Sequence, residues 1–118
     1  MRKTTILIVD DDFGCLEQIR CELAIEEFVI LTASYPGEAM EISEEHPEIS
    51  ATLFDGLCGR AFFLVKDMAA RGLGGKLIAF SSDAGMNRYM CEDGCVAVMN
   101  KCDQPAKKIE DLKRILSE

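Results

Sequence analysis

Asp10, Asp11, Asp55, Ser81 and Lys101 share one placement: each follows a short apolar run. Ile6-Leu7-Ile8-Val9 gives way to Asp10-Asp11-Asp12, Ala51-Thr52-Leu53-Phe54 to Asp55, and Leu77-Ile78-Ala79-Phe80 to Ser81. Cys95-Val96-Ala97-Val98-Met99 runs through Asn100 to Lys101. If the runs are parallel strands of one sheet, their carboxyl ends gather acids, a hydroxyl and an ammonium around one crevice, where ligand sites of open α/β sheets lie. Clustered carboxylates stay ionised only beside cations, which implies a divalent metal, and hard oxygen donors completed by water suit octahedral Mg2+. The lysine and hydroxyl suit a phosphoryl group. A carboxylate is a competent nucleophile toward phosphorus, helped chiefly by charge neutralisation and alignment.

The elements that must position these residues alternate from end to end. Strands are expected at 5–9, 28–33, 50–54, 76–80 and 95–99, separated by amphipathic stretches. The stretch 13–26 carries Leu16, Ile19 and Leu23 at helical spacing, with Glu17, Glu22 and Glu26 elsewhere. Ser34 reads as an N-cap, with Pro36 in the first turn of a helix ending near Glu45. A helix over 60–71 presents Ala61, Leu64, Val65 and Met68 and ends on Arg71-Gly72. The stretch 83–93 reads as a short helix weakened by Gly85 and Asn87 and closed by Gly94. Asp103 offers an N-cap, ahead of Pro105, for a last helix carrying Ile109, Leu112, Ile115 and Leu116. The pattern is α/β, a (βα)5 doubly wound parallel sheet with helices on both faces, and the expected strand order is 2-1-3-4-5.

Bulk properties narrow the function. The 118 residues, 48% hydrophobic and 29% charged, suit one domain over 1–118. A net charge of −8 argues against direct nucleic-acid binding, which needs a basic face. Arg2-Lys3 precede only four apolar residues, unlike a signal peptide, and no run approaches the roughly 18 residues of a membrane span, so a cytoplasmic location is expected. Cysteines at 15, 21, 58, 91, 95 and 102 then default to reduced thiols. Only Cys91-x3-Cys95 approaches zinc-ligand spacing, and the lone histidine, His46, lies in a polar stretch.

With those strand ends in order, the chain resembles a response-regulator receiver domain of two-component signalling over its whole length. The resemblance rests on Ile6-Leu7-Ile8-Val9-Asp10-Asp11, Asp55, Phe80-Ser81 and Lys101. It implies that Asp55 is the phosphoacceptor, attacking the phosphohistidine of a sensor histidine kinase or a histidine phosphotransfer protein. It implies direct Mg2+ ligation by Asp11, a largely water-mediated role for Asp10, and a ligand from the Leu57 carbonyl beside Asp55 itself. Ser81 corresponds to the hydroxyl that turns toward the phosphoryl group, and Lys101 to the lysine that pairs first with the acceptor and then with a phosphoryl oxygen. Output would go to a downstream effector protein or an appended domain.

The chain departs from that pattern in three places. Cys58-Gly59 replaces the family's Met-Pro, and aligning Gly59 with the glycine that starts the next helix shortens the loop by about four residues while keeping the Leu57 carbonyl. Cys102 follows Lys101 where the family has a cis proline. A non-proline cis bond costs about 3–4 kcal/mol, so this bond should be trans and Lys101 less rigidly aimed. Val98 stands where the family has its switch aromatic, which predicts weak or atypical output, while Ser82 is small enough to leave room for a phosphoryl group.

Plainer roles exist for each residue. Asp10 could serve as an N-cap, although Asp12 and its neighbours offer caps in excess. The lesser readings of the others are Asp55 as a loop acid, Ser81 as ordinary turn chemistry and Lys101 as a solvated lysine beside Lys107 and Lys108. Two other functions compete. A pseudo-receiver, binding partners without phosphorylation, fits the missing prolines and the absent aromatic. A haloacid-dehalogenase-type phosphatase fits Asp10-x-Asp12, but leaves Asp55 without a role and needs a longer chain. The receiver reading is not that of a turnover enzyme on external substrates.

Overall fold

Ile6, Leu7, Ile8 and Val9 are all buried. Because successive side chains of a strand point to opposite faces, a strand buried throughout must be covered on both. The computed structural model, which describes residues 4–24, 28–57 and 60–118, has that arrangement. Its elements run β1 (Thr4–Val9), α1 (Phe13–Leu23), β2 (Phe28–Ala33), α2 (Pro36–Glu45), β3 (Ile49–Phe54), α3 (Ala61–Arg71), β4 (Lys76–Ala79), α4 (Ala84–Asp93), β5 (Ala97–Val98) and α5 (Pro105–Ser117). The strands form one parallel sheet in the expected order, β2-β1-β3-β4-β5. Cys58, Gly59, Arg2, Lys3 and Glu26 lie outside the described residues, and with them the expected loop shortening.

Alternate residues of the sheet feed two cores. Ile6, Ile8, Leu53, Ile78 and Phe80 pack with Leu16, Ile19 and Leu23 of α1 and with Leu112 and Ile115 of α5. Leu7, Val9, Phe54 and Ala79 pack with Ala39 of α2, with Leu64, Val65 and Met68 of α3, and with Met90 of α4. Burying a side chain of this size contributes about 1.5–3 kcal/mol, so the two stripes hold the helices on opposite faces. The spacings that predicted α1 and α3 name the residues that are buried.

Register delivers the site residues to one edge. The Asp10 N–H donates to the Ala33 carbonyl at 3.0 Å, and the Asp55 N–H to the Val9 carbonyl at 2.9 Å. The Phe80 N–H donates to the Phe54 carbonyl at 2.9 Å, and the Met99 N–H to the Ala79 carbonyl at 2.9 Å. The ladder thus carries Asp10, Asp55 and Ser81 just past the ends of neighbouring strands.

Local details differ from expectation. β5 covers only Ala97–Val98 rather than 95–99, although hydrogen bonds from Val96 to Leu77 and from Met99 to Ala79 extend its pairing. Tyr35, not Ser34, sits at the N-cap of α2; the Glu38 carboxylate reaches back to accept from the Ser34 N–H at 2.7 Å. Gln104, not Asp103, is the N-cap of α5: the Lys108 N–H donates to the Gln104 carbonyl at 3.1 Å, and no side chain caps the helix. Glu22, off the apolar spacing of α1, pairs with Lys108 of α5 at 2.9 Å, and both are largely buried. Lys108 and Asp111 take inward positions beside Leu112 and Ile115, so Ile109 and Leu116 are only partly buried.

α3 ends on Gly72 in the left-handed region (φ 65°), with the Leu73 N–H donating to the Met68 carbonyl at 2.9 Å. Gly75 also has a positive φ (64°), and a Cβ there would overlap the Ser50 carbonyl at the entry to β3. Gly75→Ala is expected to destabilise the chain by more than about 1 kcal/mol in urea unfolding, because both the dihedral and the space oppose a side chain.

Candidate functional site

The β1–α1 turn frees two acids by assigning the third to the helix. Asp12 is the N-cap of α1, its Oδ1 accepting from the Cys15 N–H at 3.2 Å. Asp10 is therefore not the cap. Its Oδ1 accepts from the Asp12 N–H at 2.9 Å, which turns the carboxylate over the sheet edge. One oxygen from each of Asp10, Asp11 and Asp55 lies within 4.8 Å of the others. Those hard donors suit Mg2+, with water completing the sphere.

Lys101 enters from the β5–α5 loop. Its Nζ donates to Asp10 Oδ2 at 2.6 Å and to Asp55 Oδ1 at 3.2 Å. The lysine side chain is 17% exposed, Asp10 2% and Asp55 19%, so the contacts are screened little by water. Burial raises the Asp10 carboxyl above its ordinary value, against the opposing hydrogen bond from Lys101. Burial alone would lower the Lys101 ammonium, but the hydrogen bond to Asp10 and the charges of both acids outweigh it and hold the group above 10.5.

The peptide bond from Lys101 to Cys102 is trans, as expected, since the described residues contain no cis bond. A turn replaces the missing proline: Asn100 Oδ1 accepts from the Cys102 N–H at 2.8 Å, and the Asn100 carbonyl from the Asp103 N–H at 3.2 Å. Lys101 is thus held at both its backbone and its tip. Lys107 and Lys108 are engaged elsewhere, with Asp111 and Glu22.

Ser81 is buried at the end of β4, and its hydroxyl accepts from the Asp83 N–H at 3.0 Å. Its backbone is clamped by the Asn87 carboxamide, which accepts from the Ser81 N–H and donates to the Ser81 carbonyl, both at 2.9 Å. Asn87, which sequence reasoning took for a weakness in α4, is a positioning residue. Leu57 has a positive φ (51°), and its carbonyl accepts from the Arg60 N–H at 3.1 Å and from Arg60 Nε at 3.3 Å. Arg60 also lies 3.6 Å from Asp11 Oδ2. Neither Asn87 nor Arg60 had a spacing signal, because each acts through a fold-dependent contact.

Val98 is half exposed on β5, with no ring to swing inward. Five described cysteines are free thiols, and burial pushes Cys95 up to about 12, an inert setting. Among the described residues no helix is long and apolar enough to cross a membrane.

No protein-family model and no curated protein sequence matches this chain. Solved structures do. A response regulator from Thermotoga maritima superposes with a TM-score of 0.85 at 18% identity, covering 99% of this chain and 100% of its own. This chain has the receiver fold. A CheY-like response regulator receiver domain protein from Methanospirillum hungatei JF-1 gives 0.81 at 24% identity, covering 98% of this chain and 95% of its own. The chemotaxis protein CheY4 of Vibrio cholerae gives 0.85 at 15%, covering 97% and 99%. At such identities the receiver fold is what is shared.

Lys101→Met is expected to lower stability at pH 7 in metal-free buffer by about 3 kcal/mol, because it leaves Asp10 and Asp55 without their cation. The folded-state value of Lys101 lies above its ordinary 10.5, so its contribution is full below that pH. It is lost as pH rises through the folded-state value. Urea unfolding of both proteins from pH 7 to pH 11 should show the gap narrow only at the alkaline end.

Proposed function

We propose that the chain is a response-regulator receiver that accepts a phosphoryl group on Asp55 from a sensor histidine kinase or a histidine phosphotransfer protein. The observation that carries this reading is the bridge of Lys101 Nζ to Asp10 and Asp55 within a cluster of three carboxylates. An Asp55 oxygen attacks phosphorus, the phosphorus–nitrogen bond to the donor imidazole breaks, and its electron pair leaves with the imidazole. The product is an acyl phosphate. Lys101 orients Asp55 before the reaction and offers its ammonium to a phosphoryl oxygen afterwards. Ser81 supplies a hydroxyl on a fixed backbone. Mg2+, held by Asp10, Asp11 and Asp55 with the Leu57 carbonyl, would neutralise charge on the transferring group.

The same reading assigns the protein to the cytoplasm, gives it no turnover on external substrates, and directs its output to an effector protein or appended domain. Output coupling is atypical. Val98 replaces the ring that would swing, and Asn87 fixes the backbone of Ser81. A phosphorylation-independent binding module is favoured by Val98 and by the missing prolines, whereas an intact set of acids, hydroxyl and lysine is of no use to it.

Purified protein incubated with Mg2+ and a small phosphodonor is expected to gain the mass of one phosphate. Asp55→Asn should gain none and Asp11→Asn far less; an equal gain in Asp55→Asn rejects the assignment. Beryllofluoride, a phosphoryl mimic, is expected to move amide resonances near 55–57, 81–82 and 101. It should leave 84–99 nearly unchanged, and a large response there would mean ordinary coupling.

A further inference from the structure

Arg60 has no part in the chemistry above, yet it engages two of the four groups assigned to Mg2+. Its guanidinium lies 3.6 Å from Asp11 Oδ2. Its Nε and backbone N–H donate to the Leu57 carbonyl at 3.3 and 3.1 Å, which takes both lone pairs of that oxygen. Among the described residues, three carboxylates thus face two cations, Lys101 on Asp10 and Asp55 and Arg60 on Asp11.

Resting on the phosphoacceptor reading, we infer that Arg60 is a built-in competitor for the metal site. Its guanidinium stands in for the divalent cation at Asp11 and Leu57, and metal binds by displacing it. Exposure decides which of the two cations gives way. The Arg60 side chain is 56% exposed and Asp11 35%, whereas Lys101 is 17% exposed and bonded to two acids. Arg60 returns to water at little cost, and Lys101 does not. Binding is therefore an exchange of one cation for another, and Arg60 sets the metal concentration at which the pocket loads.

Titration with Mn2+, with free ion followed by electron paramagnetic resonance, tests this on the full chain. At low salt Arg60→Gln is expected to tighten Mn2+ binding about threefold or more, the scale of a half-exposed ion pair. Arg60→Lys, which keeps the charge, should stay within about twofold of the parent, and raising the salt should narrow the gap for Arg60→Gln. Asp11→Asn reports whether binding is at this site. Equal or weaker affinity in Arg60→Gln, with binding still dependent on Asp11, overturns the inference and leaves the phosphoacceptor reading standing. No Asp11-dependent binding by parent or variant overturns both. Should Arg60→Gln lose its fold by circular dichroism, the Arg60 Nε–H resonance of the parent decides: it should shift on adding Mg2+, and a fixed resonance overturns the inference.

Discussion

One ammonium joins acids that are 91 and 46 residues from it in sequence: Lys101 reaches Asp10 and Asp55 only because strand register delivers all three to the same edge. Asp10 is almost wholly buried, and a carboxylate in that position is tolerable only with a cation against it. The pair constrains its surroundings in turn. The β5–α5 loop has to aim Lys101 inward, and the β1–α1 turn has to spend Asp12 on the helix so that Asp10 faces the lysine.

Neighbouring contacts keep that geometry stiff. Asn100 closes the turn that follows β5, and Glu22 of α1 clasps Lys108 of α5 on the core face beside it. The Lys108 ammonium also lies 6.0 Å from the centroid of Phe80, the residue before Ser81. The first and last helices are thus tied to each other and to the end of β4. Arg60, the residue before α3, adds a hold on Leu57 and Asp11 that is half exposed and correspondingly weak.

Much of this was legible in the residues themselves. Apolar runs closed by Asp10, Asp55, Ser81 and Lys101 gave the strands and their common edge, and Ala61, Leu64, Val65 and Met68 gave α3. Periodicity carries such information because it repeats within one element. Glu22 with Lys108, Arg60 with Asp11 and Asn87 with Ser81 are single contacts between elements, which no period records. Lys101 was foreseen among the three carboxylates, but Arg60, the second cation beside them, was not. Asn100 carried no signal of its own, although its carboxamide closes the turn that stands where a proline is missing.

The Asn87 clamp has a consequence for timing. With the N–H and the carbonyl of Ser81 both held by one carboxamide, residue 81 keeps a single soft torsion, that of its hydroxymethyl group. Rotation about that bond is a picosecond-to-nanosecond event where it is unhindered. Any larger displacement must carry α4 along, since Asn87 belongs to that helix, and collective helix shifts fall in microseconds to milliseconds. Motion of the Ser81 hydroxyl and motion of its backbone therefore run on separate clocks, divided by the anchoring of one side chain.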